Sequence, residues 1–198
     1  MVTYNTLVTG VGGQGVLFIS EILGMAALRE GLSARVAEIH GMAQRGGSVT
    51  CNVRIGERIC SPTITKGTAD LIIGLEPLEV LRLLGYAHKE TFVAINRTRI
   101  VPSSATLSGI EYPSMNQILK EISRVSKNTV TVNTTDIAVK VGNPATQNAA
   151  MLGFVSALKQ LPIKVETLRN TISERSPSKY REVNVRAFEL GSLELGKK

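Results

Sequence analysis

The sequence predicts a single α/β domain, with a doubly wound, mostly parallel sheet and helices on both faces. Three observations carry that prediction. Apolar strand-like runs alternate with helical apolar spacing along the chain. A glycine cluster, Gly10-Val11-Gly12-Gly13-Gln14-Gly15, stands where the first strand hands over to the first helix. The runs within residues 70–75 and 92–96 are continuously apolar, as strands buried on both faces are.

Residues 5–9 form the first strand. Residues 16–30 follow as a helix, with Val16, Ile19, Leu23, Ala26 and Ala27 at helical spacing and Gly31 as its stop. Residues 34–39 are strand-like, and residues 40–47 form a glycine-rich loop. Over 48–55 the pattern has period two, with Val49, Cys51, Val53 and Ile55 on one face and Ser48, Thr50, Asn52 and Arg54 on the other. That reads as an antiparallel strand with one face toward water or a partner. Gly56-Glu57 is a turn, and Arg58-Ile59-Cys60 is expected to return as the second arm of a hairpin spanning about 48–60. Glu76-Pro77 opens a helix striped by Leu78, Leu81 and Leu84. Residues 112–125 read as a strand-free link and then a helix with Ile118, Leu119 and Ile122 inward; helices are expected over 135–141, 146–158 and 162–172, with a strand over 130–133 and a last helix starting near Tyr180. The core of the domain is placed at about 6–158. The segment at about 159–198 is helical and reads as one that reaches toward a partner.

Bulk composition narrows the function. Of 198 residues, 43% are hydrophobic and 20% charged, as in an ordinary globular domain. No run of 18 apolar residues offers a membrane span. The N-terminal residues lack a signal-peptide pattern, so a cytoplasmic location is expected. The net charge is +7, but the basic residues are scattered, there is no Trp, and aromatics make up 4%. A nucleic-acid partner is therefore not expected, nor a membrane; an acidic partner or an anionic ligand suits the charge better. Cys51 and Cys60, with His40 and His88, supply neither an iron–sulfur set nor a structural zinc set. Both thiols are expected to be free, and no metal site is expected.

Chemistry concentrates in two glycine-rich loops. Gly10, Gly12 and Gly15 fit G-x-G-x-x-G, a dinucleotide-binding pattern. Glu38, at 38 − 15 = 23 residues beyond Gly15, stands near the place of a ribose-binding acid. A self-sufficient NAD(P)-binding reductase is thus one reading. The second loop, Gly41-Met42-Ala43-Gln44-Arg45-Gly46-Gly47, opens at the same sheet edge and suggests the other: an edge shaped for a ligand or a partner chain. Its members are Gly10, Gly12, Gly13, Gln14, Gly15, Gly41, Gln44, Gly46 and Gly47. Arg45, bared by the two glycines after it, suits a carboxylate or phosphate. His40 is a candidate general base. Glu76 at a helix start and Asn143 as a helix cap are secondary candidates. Asn148, Ala149 and Gly153 would let their helix approach another backbone, as subunit contacts do. The chain has no nucleophile elbow, no P-loop lysine and no paired carboxylates, which suggests one part of a larger enzyme.

The two loops together, Gly10-Val11-Gly12-Gly13-Gln14-Gly15 and Glu38-Ile39-His40-Gly41-Met42-Ala43-Gln44-Arg45-Gly46-Gly47-Ser48-Val49, resemble the gamma-type domain of 2-oxoacid:ferredoxin oxidoreductases. The second loop is most similar to the indolepyruvate branch. Ser61-Pro62, Gly67-Thr68-Ala69-Asp70, Gly74-Leu75-Glu76-Pro77-Leu78-Glu79 and Gly142-Asn143-Pro144 match in order from about Thr6 to Leu158. The resemblance implies a CoA-dependent oxidative decarboxylation of an aryl 2-oxoacid with ferredoxin as acceptor. It implies that thiamine diphosphate and the iron–sulfur clusters sit on a large alpha subunit, that coenzyme A joins in the complex, and that this chain alone is inactive and binds no cofactor. A homodimer of the isolated chain is left open.

Overall fold

The computed structural model describes residues 3–41, 46–101 and 111–196. Its sheet has strands β1 (Tyr4–Val11), β2 (Ser33–His40), β3 (Ser48–Gly56), β4 (Leu71–Gly74), β5 (Phe92–Asn96) and β6 (Asn128–Val132). Their spatial order is β2-β3-β1-β4-β5-β6. The pairs β1–β4, β4–β5 and β5–β6 are parallel, whereas β3 runs antiparallel to both β1 and β2. Strands β1 and β2 therefore point the same way, and the loops after them open at one edge.

Seven α-helices are present among the described residues: α1 (Val16–Arg29), α2 (Pro77–Arg82), α3 (Met115–Ser123), α4 (Thr134–Val141), α5 (Gln147–Ala157), α6 (Val165–Arg175) and α7 (Arg181–Leu193). Local chemistry fixes their ends. Ser114 and Gln117 form a reciprocal capping box on α3. Asn133 caps α4, and Gly142 ends it in the left-handed region at φ 81°. Strand alternation divides the core. Val8, Leu71, Ile73 and Ala94 pack under α1, α4, α5, α6 and α7. Leu7, Ile72, Val93 and Ile95 pack under α2 and α3 on the opposite face. None of the described helices is long and apolar enough to cross a membrane.

Three expectations are corrected. First, residues 58–60 form no strand, and β3 pairs with β2 and β1 rather than with a following hairpin arm. Second, the polar face of β3 is not wet: Thr50 and Asn52 are buried. Asn52 Oδ1 accepts the Ile64 amide at 3.2 Å. Arg54 donates to the Ser61 and Thr63 carbonyls at 2.9 and 3.2 Å. These bonds draw the chain after Gly56 across β3 instead of alongside it, so every buried polar group there is matched.

Third, the small residues of α5 serve the chain itself. A Cβ on Gly153 would collide with the Phe188 carbonyl of α7, and one on Gly191 with the Ala150 carbonyl of α5. The two backbones meet through this pair of glycines. The inner face of α7 is thus spent on its own domain, with Ala187 and Phe188 in the core. Gly153→Ala should destabilise the fold by about 1–3 kcal/mol or more, because backbone must move to admit the methyl group. Thermal or denaturant unfolding of the variant checks this, and an unchanged midpoint would contradict the close crossing.

Candidate functional site

The carboxyl edge of the parallel strands carries the site. At the crevice between β1 and β4 the connections diverge, with α1 on one face and α2 on the other. Such a switch point is where open α/β sheets place ligands. Gln14 bridges it: its Oε1 accepts the Val11 amide at 2.9 Å and its Nε2 donates to the Leu75 carbonyl at 3.0 Å. Asn96, at the end of β5, donates to the same carbonyl at 3.3 Å and accepts the Thr134 amide at 3.1 Å. Two side-chain amides thereby lock the ends of β1, β4 and β5 to the start of α4.

The glycines at this edge have distinct tasks. Gly10 is buried in β1 opposite Val49, and a Cβ there would press on Gln14 and Leu75. Gly12 donates to the Gly47 carbonyl at 2.8 Å, joining the two glycine-rich loops. Gly13 is exposed at φ 99° with open space where a side chain would stand. Gly15 starts α1 at φ 80° with the Asn148 side chain packed against it. Gly41 continues the β2–β3 ladder by donating to the Ser48 carbonyl at 2.8 Å, and Gly46 faces open space. Gln44 and Arg45 lie outside the described residues.

His40 ends the edge strand β2, exposed, with its Nε2 3.1 Å from Glu38 Oε2. Glu38 therefore stands two strands from the glycine turn, because β3 lies between β2 and β1. A ribose-binding acid belongs on the strand beside the turn, so this placement removes the second support of the dinucleotide reading. Among the described residues no three His, Cys, Asp or Glu side chains converge as a metal site. Cys51 is buried, which pushes its thiol above the usual range, and Cys60 is exposed. Asn143 caps the turn before α5 by accepting the Ala145 amide at 3.0 Å.

Glu76 does more than cap a helix. It is 1% exposed, and all of its acceptor capacity is used. Oε2 takes the Leu78 and Glu79 amides at 2.7 and 3.1 Å, while Oε1 takes the Ile100 amide at 3.2 Å and the Tyr112 hydroxyl at 2.5 Å. Burial, then the Glu76 carboxylate beside it, holds the Tyr112 hydroxyl well above the usual phenol range. Next to it, Glu79 accepts from the Ser48 hydroxyl at 2.5 Å, which ties the start of β3 to α2.

A cavity of about 480 Å³ opens over the crevice, bounded by the glycine turn, Leu75, Asn96, Ile100 and the segment from Pro144 to Asn148. Sequence reasoning missed Asn96, Ile100, Tyr112 and Gln147, and read Asn148 as a helix-contact residue, whereas its side chain packs against Gly15 at the cavity. Only Asn96 left a signal, a polar residue closing a buried apolar strand.

The chain matches the family model for pyruvate ferredoxin/flavodoxin oxidoreductase over residues 5–194. It is 40% identical over 187 residues to indolepyruvate oxidoreductase subunit IorB of Archaeoglobus fulgidus, covering 94% of this chain and 92% of that one. The IorB of Thermococcus kodakarensis is 37% identical over 192 residues, covering 96% and 95%. In fold, the gamma subunit of a keto/oxoacid ferredoxin oxidoreductase from Geobacter sulfurreducens superposes with a TM-score of 0.72 at 20% identity, covering 98% of this chain and 99% of that one.

Replacing Glu76 by Ala strips four donors of their acceptor. Stability should fall by about 1–3 kcal/mol, with hydrogen exchange accelerated at the Leu78, Glu79 and Ile100 amides together. Exchange that quickens at Leu78 and Glu79 while Ile100 stays protected would show that Glu76 acts only as a cap.

Proposed function

The chain belongs to the pyruvate ferredoxin/flavodoxin oxidoreductase family, and on that premise we propose that it is the beta subunit of an aryl 2-oxoacid:ferredoxin oxidoreductase acting on indolepyruvate. The single observation that carries the substrate is the near-full-length likeness to two IorB subunits at 37–40% identity. In the reaction, an aryl 2-oxoacid, coenzyme A and oxidised ferredoxin give an aryl-acetyl-CoA, carbon dioxide and reduced ferredoxin.

The edge chemistry supports a subunit that shapes a site rather than one that holds the reactive group. Gln14, Asn96, Gln147 and Asn148 are neutral amides, and the described residues bring no acid, base or nucleophile together at the crevice. Thiamine diphosphate and the iron–sulfur clusters are carried by a large alpha subunit, and the thiamine supplies the carbanion chemistry when bound. This chain contributes orientation and exclusion of water. Gly13 and Gly46 present bare backbone, so another chain can approach both glycine-rich loops closely. Arg45 belongs to the second of these loops in sequence, and its guanidinium is the group suited to an anionic group of the substrate or partner. The complex works in the cytoplasm.

Co-expression with the large subunit tests this. The purified complex should reduce ferredoxin in the presence of indolepyruvate and coenzyme A, whereas this chain alone should not. Low-micromolar binding of NADH by the isolated chain would instead favour a self-sufficient reductase. Arg45→Ala should lower turnover of the complex or weaken its assembly, while the variant chain stays folded. Wild-type turnover and assembly together would reduce Arg45 to a loop residue.

A further inference from the structure

We propose that the free edge of β2 is a self-association surface, at which a second copy of this chain adds its own β2 antiparallel about a two-fold axis through Val36. The inference concerns assembly and stands apart from the activity reading above.

Strand β2 closes one side of the sheet, and its ladder to β3 runs unbroken from Ser33 to His40. Gly41 continues it by donating to the Ser48 carbonyl directly opposite. Inward and outward amides alternate along an antiparallel strand, so those of Ala34, Val36 and Glu38 point away from β3. None of these three amides meets an acceptor among the described residues.

Exposed edges are usually blunted by proline, lysine or a bulge. Strand β2 has none of the three. It has an apolar flank instead. Ala34 and Val36, with Gly24, Met25 and Leu28 of α1, line a groove of about 350 Å³. Val36 is 38% exposed and Leu28 is 61% exposed. An added strand would satisfy the free amides and cover this groove together.

Symmetry and charge select the occupant and its register. Paired side chains share a face of the sheet, so a two-fold axis perpendicular to it must pass through a residue that meets itself. Centred on Val36, the pairing sets Val36 against its own copy and the partner's Glu38 against Ala34. Each outward amide from Ala34 to Glu38 then faces a carbonyl. Arg175 lines the same groove as Ala34, and its contact with Glu21 is long, at 3.6 Å. Its guanidinium can take the incoming carboxylate, and symmetry repeats that contact at the other end of the strand pair. Centring on Arg35 or Glu38 would oppose like charges, and centring on Ala37 would lay a carboxylate on Val36. The second copy adds beside β2, so the carboxyl edge with Gly13 stays open to another subunit.

Sedimentation of the full-length isolated chain tests this. At about 10 μM the wild-type chain should run as a dimer, as a Kd in the micromolar range or below requires. Val36→Lys sets two ammonium groups against each other at the axis and should weaken dimerisation about tenfold or more, with the melting curve of the monomer unchanged. Glu38→Arg and Arg175→Glu, both at exposed positions, should each weaken it, and the double swap should recover it. A wild-type chain still monomeric at about 100 μM, or a dimer as tight in Val36→Lys as in wild type, overturns the proposal. A double swap that recovers nothing overturns the register. Amide exchange at Ala34, Val36 and Glu38 should slow as the concentration of the isolated chain rises. Slowing only after the large subunit is added would assign the edge to a strand of that subunit and overturn the second copy as its occupant. None of these measurements involves ferredoxin reduction, so the activity reading stands or falls separately.

Discussion

The bond from the Gly12 amide to the Gly47 carbonyl, 2.8 Å long, is the contact on which the functional edge depends. It exists because β3 enters the sheet antiparallel between β1 and β2, so that the residue before β3 meets the residue after β1. From there the constraints run along the edge. Ser48 reaches Glu79 on α2, Glu76 reaches Ile100 and Tyr112, and Gln14 and Asn96 converge on the Leu75 carbonyl. Five segments apart in sequence are thereby held by groups whose donors and acceptors are matched. A network of that kind is rigid, since loosening one member leaves another buried and unpaired.

Local pattern made the elements readable but not their neighbours. The apolar run of β4, the period-two pattern of β3 and the glycine turn before α1 each announce an element on its own, and all three stand where expected. Strand order is a long-range property. The spacing of Glu38 from Gly15 matched a nucleotide fold because βα units have similar lengths, and nothing in residues 33–56 told that β3 would intervene. Likewise the polar face of β3 looked wet, since the groups that cover it, Ser61, Thr63 and Ile64, reach it only through tertiary hydrogen bonds.

The candidate site was legible to the same degree. The two glycine-rich loops stood out because bare backbone is rare enough to be noticed in any context. The walls of the cavity did not, because Ile100 and Asn148 are ordinary residues whose meaning comes from companions elsewhere in the chain. Glu76 was noticed for the wrong reason: its place at a helix start suggests a dipole effect, whereas its burial and its bonds to Ile100 and Tyr112 make it an anchor for a distant segment.

The crossing of α5 and α7 at Gly153 and Gly191 bears on the order in which the molecule can be made. The apolar face of α1 is sealed in part by Leu168 and Ile172 of α6 and shares its core with Ala187 and Phe188 of α7. A ribosome delivers α1 well before those partners, so the nascent chain carries an uncovered greasy helix until they emerge. Closure then falls late, when the two glycines click together. Until that moment the growing polypeptide is exposed to aggregation, which makes α6 and α7 a safeguard for α1.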